Sequence, residues 1–311
     1  MSRRSLTLRK NGLRFRVSQP AKVPPSRHPH PTPSSEPTAV DNMSRVDRQI
    51  IPMGKMNEDS LIQVDGILVN DFLREENVRA AMHYEPGEDD VFIASYPKCG
   101  TTWTQYIVCN IFTRGNAPNN VTDFLLQAPY FDFMGADAPK KMPKPGALMT
   151  HLPFNMRRHS NKARNPYDCA VSYYHYLLGH TPKTCTDVSF ETFVKAFIAG
   201  RVPYGDYFDH LLSWYEHRHD PNVLFFTCDS FVNALLELPE EKRLESMEIY
   251  RKKGAAKRES HEGSGRVRKG KIGDWKNHFT TPELLDAMKG WINEKTKGTD
   301  VMRLWEDLNL P

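Results

Sequence analysis

A short apolar run, Val91–Tyr96, leads directly into the segment Pro97-Lys-Cys-Gly-Thr-Thr-Trp103. The β-branched and aromatic residues of the run predict a buried strand, and the Pro, Gly and Thr residues after it predict a tight turn that enters a helix. Four backbone N–H groups would then lie at the helix N-terminus: those of Cys99, Gly100, Thr101 and Thr102. Unpaired donors and the helix dipole favour an anion there, and Lys98 adds a positive charge. The spacing therefore predicts a phosphate cradle, with an ordinary strand-turn-helix as the alternative.

The segment is not a Walker A loop, because the G-x-x-x-x-G-K-[ST] spacing is absent and Lys98 precedes the glycine. Gly265-Arg-Val-Arg-Lys-Gly270-Lys271 has that spacing, but Ile272 stands where the magnesium-binding hydroxyl belongs. No strand is predicted before it. A P-loop kinase is therefore disfavoured, and detectable ATP hydrolysis would be needed to revive that hypothesis.

The charge of the chain is divided between a basic start and a slightly acidic remainder. The first 35 residues hold eight Lys or Arg and no Asp or Glu, whereas the rest of the 311-residue chain carries more acidic than basic side chains. This balance leaves no broad basic face, so no nucleic-acid partner is expected. With 39% hydrophobic residues, the chain is long enough to form one large domain with a sizeable core.

Residues 1–55 are rich in Pro, Ser and Arg and low in large apolar side chains, which predicts a disordered basic tail ahead of a domain over 56–311. A mitochondrial transit peptide is the alternative for this acid-free start. No apolar stretch approaches the ~20 residues that span a bilayer, so no membrane partner is expected. The five cysteines are widely spaced without a C-x-x-C pair, which predicts reduced thiols and a cytoplasmic location.

Predicted strands alternate with predicted helices along the domain. The hydrophobic pattern predicts strands at Val91–Tyr96, Gly146–His151 and Asn222–Cys228. It predicts helices at Asn70–Met82, Trp103–Phe112, Ala170–Leu178, Phe190–Phe197, Tyr207–Trp214 and Pro282–Lys295. Residues 117–145 are expected to form a loop whose aromatic segment, Pro129–Phe133, could line a pocket. The alternation predicts an α/β fold with a central parallel sheet.

Four segments resemble, in this order, the cytosolic sulfotransferase family: Tyr96-Pro-Lys-Cys-Gly-Thr-Thr-Trp103, Thr150-His-Leu-Pro153, Arg164-Asn-Pro-Tyr-Asp-Cys-Ala-Val-Ser-Tyr-Tyr-His175 and Arg268-Lys-Gly-Lys-Ile-Gly-Asp-Trp-Lys-Asn277. The resemblance covers roughly residues 60–311. It implies a three-layer, P-loop-like nucleotide-binding sulfotransferase fold. It also implies transfer of a sulfuryl group from 3′-phosphoadenosine 5′-phosphosulfate (PAPS) to a hydroxyl or amine of a small acceptor, without a metal ion.

The resemblance further implies roles for individual residues. Lys98 would contact the oxygen that bridges the sulfuryl group and the 5′-phosphate, where negative charge develops as that bond breaks. Trp103 would offer a flat face to adenine, and His151 would be the general base that takes the acceptor's proton. Five residues would bind the 3′-phosphate: Arg164, Ser172, Arg268, Lys269 and, through its N–H, Gly270. Tyr204 and Thr227 would be further nucleotide contacts.

The loops around Tyr130, Phe131 and Phe154 are aromatic and apolar, which suits a phenol, a catecholamine or a steroid-like acceptor. Lys276-Asn-His-Phe-Thr-Thr281 matches the dimer motif of the family only in part. A homodimer is therefore an expectation that the sequence leaves open.

The chain departs from the family pattern in several places. Met149 stands two residues before His151, where the family usually has Lys, and Cys99 replaces the commoner Ser. The family has an apolar strand before Arg164, but this chain has Arg157-Arg-His-Ser-Asn-Lys-Ala163, so a central strand is expected to be missing. The domain is predicted to be shortened near 157–164 and at 229–250. A catalytically impaired nucleotide-binding variant is therefore the alternative to an active enzyme.

Overall fold

The computed structural model describes residues 60–87, 90–116, 118, 121–144, 146–154, 161–180, 188–228 and 272–311, all of which lie in one unit, Met53–Pro311. The strands in these residues are β1 (Leu61–Val64), β2 (Ile67–Asn70), β3 (Asp90–Ser95), β4 (Gly146–Thr150), β5 (Asn161–Ala163) and β6 (Phe226–Thr227). The α-helices are α1 (Glu75–His83), α2 (Thr101–Phe112), α3 (Val121–Gln127), α4 (Phe131–Met134), α5 (Ala138–Lys141), α6 (Pro166–His180), α7 (Phe190–Ile198), α8 (Tyr207–Tyr215) and α9 (Pro282–Lys295). Asp274–Asn277 and Val301–Leu308 form 3₁₀ helices.

A parallel sheet with strand order β4-β3-β5-β6 forms the centre of the fold. All five residues of β4 and the last four of β3 are buried, as expected for strands that helices cover on both faces. The chain leaves β3 for β4 on one side and returns to β5 on the other, so the strand order reverses at β3. Ligands of such sheets bind at the carboxyl ends of the strands beside that reversal. The predicted α/β fold with a central parallel sheet is confirmed.

The expectation of a missing central strand is wrong. Residues Asn161–Ala163 form β5, which pairs with β3 through Ala94↔Asn161 and with β6 through Ala163↔Thr227. Pairing uses backbone N–H and C=O groups, so a run without β-branched residues can occupy a central position when both neighbours supply partners. The predicted shortening stays a prediction, because residues 155–160 lie outside the described ranges.

The other predicted strands and helices agree with the structure to different degrees. Helix α9 has the predicted bounds, whereas only Phe226–Thr227 of the predicted third strand pairs, since β5 offers just Lys162 and Ala163 as partners. The sequence reading missed the β1–β2 hairpin, although Asp65-Gly66 between two apolar runs is a hairpin signal. It also missed α3, α4 and α5 in the expected loop.

A buried aromatic residue ties the end of β3 to three helices. The Tyr96 ring meets those of Tyr173 on α6, Phe197 on α7 and Tyr207 on α8 edge-on, at centroid distances of 5.9, 6.1 and 5.2 Å. Its hydroxyl donates to the Gly205 carbonyl at 2.8 Å. The carboxyl end of β3 is therefore held on the helices that follow β5. None of the described helices is both long and apolar enough to cross a membrane.

Candidate active site

The predicted cradle forms between β3 and α2. Lys98 and Gly100 both have left-handed backbone conformations, with φ of 69° and 85°, and Gly100 is the N-cap of α2. The Cys99 N–H donates to the Tyr96 carbonyl at 3.2 Å, so this predicted donor is engaged within the turn. Within the described residues, the N–H groups of Gly100, Thr101 and Thr102 have no backbone acceptor. Three N–H groups at a helix start thus remain for an anion.

Arg164 lies against this cradle. It follows β5 directly, and its Nη1 donates to the Lys98 carbonyl at 3.2 Å. The Lys98 ammonium lies 4.4 Å from the centre of the Tyr176 ring on α6, within the range of a cation–π contact. The fold therefore places the Arg164 guanidinium against the backbone of the cradle, next to the residue that carries the Lys98 ammonium.

His151 follows β4 at the same edge of the sheet. Its Nδ1 lies 2.7 Å from the Ser95 carbonyl, the last residue of β3. Because a carbonyl only accepts, Nδ1 must carry the hydrogen, and the lone pair is then on Nε2. The rings of Tyr130 and Tyr204 pack edge-on against the imidazole at 5.5 and 5.2 Å. The imidazole is thus fixed in the tautomer that can accept a proton at Nε2.

Asp132 is a site residue that the sequence reading missed. It is fully buried, and it accepts hydrogen bonds from the Thr150 hydroxyl at 2.6 Å and the His151 N–H at 2.9 Å. The Tyr204 hydroxyl donates to it at 2.9 Å and is also hydrogen-bonded to the Tyr130 hydroxyl. An acidic residue inside the aromatic segment Pro129–Phe133 was the one signal for it in the sequence. This carboxylate holds the end of β4 and therefore His151.

The surroundings of His151 set its protonation. Burial lowers its pKa below the ordinary 6.5, the charge of Asp132 and the Ser95 carbonyl oppose that shift, and Lys98 reinforces it. Behind it, His210 lies 3.1 Å from the His151 carbonyl, and burial lowers the pKa of His210 to about 3. Burial and the charge of Asp132 raise the pKa of Tyr204 well above 10, so its hydroxyl stays protonated and donates. A neutral His151 at neutral pH can act as a base.

The remaining predicted residues are distributed as follows. Thr227 is buried in β6 beside β5, while Ser172 on α6 and Trp103 in the first turn of α2 are partly buried. Tyr204 lies with His151 and Asp132. Arg268, Lys269, Gly270 and the Walker-like segment that ends at Lys271 lie outside the described residues. In the part of the chain that the structure describes, no group of three or more His, Cys, Asp or Glu side chains could hold a metal ion.

Comparisons with known proteins identify the family and the fold. A family model described as the sulfotransferase domain matches residues 88–232 and 239–300. Mus musculus Sulfotransferase 1B1 is 31% identical over 253 residues, which span 68% of this chain and 83% of the relative. Danio rerio Sulfotransferase 6B1 is 30% identical over 287 residues, or 83% and 96% of the two chains. The crystal structure of mouse sulfotransferase SULT7A1 complexed with PAP has a TM-score of 0.61 at 25% identity and covers 80% of this chain and 98% of that one.

Proposed function

The chain belongs to the sulfotransferase family and is an enzyme of this class, and we propose that it transfers a sulfuryl group from PAPS to a hydroxyl or amine of a small acceptor, with His151 as general base. The desulfonated product would be 3′-phosphoadenosine 5′-phosphate (PAP). The PAP in the SULT7A1 complex supports this donor.

The position of His151 relative to the cradle carries the proposal. Its Nδ1–H donates to the carbonyl of Ser95, and Lys98 follows three residues later on the same segment. A chain of three residues reaches at most about 11 Å, so the imidazole and the cradle lie at one edge of the sheet. A base and an anion-binding loop at this spacing are the two parts that a sulfuryl transfer requires.

The chemistry needs one bond to form, one to break and one proton to move. The acceptor oxygen or nitrogen attacks sulfur and gives its proton to Nε2 of His151. The bond between sulfur and the bridging oxygen breaks, and its electron pair stays on the 5′-phosphate of PAP. Lys98 and the N–H groups of Gly100, Thr101 and Thr102 would stabilise that charge, which is larger in the transition state than in the bound donor.

The 3′-phosphate would be bound on the other side of the cradle. Arg164 offers a planar fork of donors, and Ser172 lies on the helix that begins two residues later. Arg268, Lys269 and Gly270 would also bind this phosphate, and the family resemblance of their segment is what supports that role. Thr227, at the end of the sheet beside Arg164, would be a further contact, and Trp103 would stack on adenine. Tyr204 we now assign to the acceptor side, because its hydroxyl and ring are engaged by Asp132, Tyr130 and His151.

The acceptor would enter along an aromatic path that leads to His151. Tyr130 stacks on Phe133 at 6.4 Å, and Phe133 contacts Phe72 at 6.4 Å. Phe72 and Phe133 are about half exposed. Phe131, which was expected to line the pocket, is instead fully buried against Phe92 in the core. Exposed aromatic rings that lead to a base suit a phenol, a catecholamine or a steroid-like acceptor.

An impaired, nucleotide-binding protein is the alternative, and one observation favours it. Met149 is buried in β4, so no cation stands two residues before His151. If the remaining charges do not stabilise the sulfuryl group enough, the chain would bind PAP without turnover.

The test is transfer of labelled sulfate from PAPS by the full chain to a phenol, a catecholamine and a steroid alcohol, with PAP binding measured in parallel. We expect transfer by the wild type, a loss of about 100-fold or more in His151→Ala, and PAP affinity within about threefold of the wild type. His83→Ala is the matched control, because His83 is exposed at the end of α1. PAP binding without transfer to any acceptor would favour the impaired variant, and no PAP binding would contradict both readings.

A further inference from the structure

Asp168 is a buried carboxylate that the proposed chemistry does not use. It lies in the first turn of α6, four residues after Arg164, and is 1% exposed. Burying a carboxylate costs free energy unless hydrogen bonds compensate for the lost water. Its partners are therefore informative.

One set of partners is local. The Asp168 N–H donates to Oδ1 of Asn165 at 2.9 Å, and Nδ2 of Asn165 donates back to Oδ2 of Asp168 at 3.0 Å. The residue before the helix and the third residue of the helix thus cap each other reciprocally. This exchange fixes the N-terminus of α6 immediately after Arg164.

The second set of partners comes from the far end of the sequence. The Gly273 N–H donates to Oδ2 of Asp168 at 2.8 Å, and the Trp275 N–H donates to Oδ1 at 3.1 Å. Gly273 has φ 81° and is the N-cap of the 3₁₀ helix Asp274–Asn277. The Trp275 ring packs against Tyr167 at 5.0 Å. Both carboxylate oxygens therefore hold one backbone turn, and hydrogen bonds to a charged acceptor are about twice as strong as neutral ones.

This turn lies close in sequence to the basic segment. Gly270 precedes Gly273 by three residues in the sequence. Arg164 precedes the same helix end that Asp168 holds. The Asp168 carboxylate thus holds both the start of α6, which follows Arg164, and the turn at Gly273 and Trp275.

We propose that Asp168 is a positioning residue for recognition of the donor's 3′-phosphate, which it serves by holding the turn at Gly273 and Trp275 against the start of α6. This inference rests on the proposed function. The direction in which PAP affinity changes when the Asp168 charge is removed distinguishes positioning from electrostatics. Asp168 is negative, so removing its charge near an anionic ligand would by electrostatics alone strengthen binding. Loss of positioning has the opposite effect.

The experiment compares PAP with adenosine 5′-phosphate, which lacks the 3′-phosphate, on the full chain. In Asp168→Asn, an NH₂ group must face the N–H of Gly273 or Trp275, so at least one of the two hydrogen bonds is lost. We expect PAP affinity to fall about tenfold or more, while affinity for adenosine 5′-phosphate stays within about twofold. Glu191→Gln is the matched control, because it removes a first-turn carboxylate from α7 that is exposed. Its PAP affinity should not change.

Equal weakening of both nucleotides, or tighter PAP binding, would overturn the assignment of Asp168. A wild type that does not prefer PAP to adenosine 5′-phosphate would instead overturn the proposed donor site and this inference with it. If Asp168→Asn does not fold, amide hydrogen exchange of wild-type residues 272–277 decides. PAP should slow that exchange more than saturating adenosine 5′-phosphate does, and equal protection would contradict the proposal.

Discussion

At the scale of single residues, two fixed partners give the His151 imidazole the state that its proposed role as general base requires. The Ser95 carbonyl selects the tautomer of the imidazole, and Asp132 accepts a hydrogen bond from the backbone N–H of His151. The two partners also oppose the shift that burial causes, since both raise the pKa of His151 while burial and Lys98 lower it. The net direction is downward, so the imidazole is mostly neutral at neutral pH and needs no further event before it accepts a proton.

The pH dependence of transfer should report this balance. The proposed role of His151 as general base requires a neutral imidazole, so kcat/KM should fall as the pH decreases through its pKa, with a midpoint below 6.5. Asp132→Asn removes a charge that raises this pKa, so the midpoint should move to lower pH. Any titration of the nucleotide contributes equally to both pH profiles, so the difference between their midpoints reports the change in the pKa of His151. Asp137→Asn is the control, because Asp137 is exposed and paired with Lys140. An unmoved or higher midpoint in Asp132→Asn would contradict the assignment.

Local sequence was enough to place Lys98 in a turn between a strand and a helix, and the family resemblance pointed to His151. The roles of both residues stay predictions. Asp132 was not predictable in the same way. Its partners Thr150 and Tyr204 lie 18 and 72 residues away, and nothing in the sequence brings those three together. A buried carboxylate acquires its role from partners that only the folded chain supplies.

At the scale of secondary structure, the cradle depends on where a helix begins. Helix α2 starts after Gly100, which has a φ of 85°. A residue with a Cβ adopts this φ only with strain. The predicted strand, turn and helix are confirmed here, because apolar run, turn residues and helix follow one another in sequence. Strand β5 was missed because its pairing comes from β3 and β6 and not from its own side chains.

Gly100→Ala should therefore damage the cradle more than the fold. Gly115→Ala is the matched control, because Gly115 has φ 88° and an added Cβ would meet no atom within 4 Å. Both changes should lower the free energy of unfolding by about 1 kcal/mol, measured by urea titration. PAP affinity should fall about tenfold or more only in Gly100→Ala, as a cradle N–H shifts away from the phosphate. Equal PAP affinity in the two variants would show that these N–H groups do not bind the nucleotide.

At the scale of the whole molecule, family and fold were accessible from the sequence and the detailed contacts were not. The resemblance to sulfotransferases and the parallel sheet are both confirmed. Four motifs carried that resemblance, and the strands and helices between them followed hydrophobic periodicity. Hydrophobic periodicity did not predict the β1–β2 hairpin, although its residues Val64 and Val69 are fully buried and contribute to the core. The tail expected over residues 1–55 lies outside the described residues and stays a prediction.

Removal of residues 1–42 tests that prediction. Their low content of large apolar side chains cannot offset the entropy of ordering them, so translation from Met43 should give a melting temperature within about 2 °C of the full chain. PAP affinity should also stay within about twofold. A shorter chain that starts at Asp71 is the contrasting variant, because it removes Val64 and Val69 from the core and should cost several kcal/mol. A drop of more than about 5 °C on removing 1–42 alone would show that this segment packs on the domain.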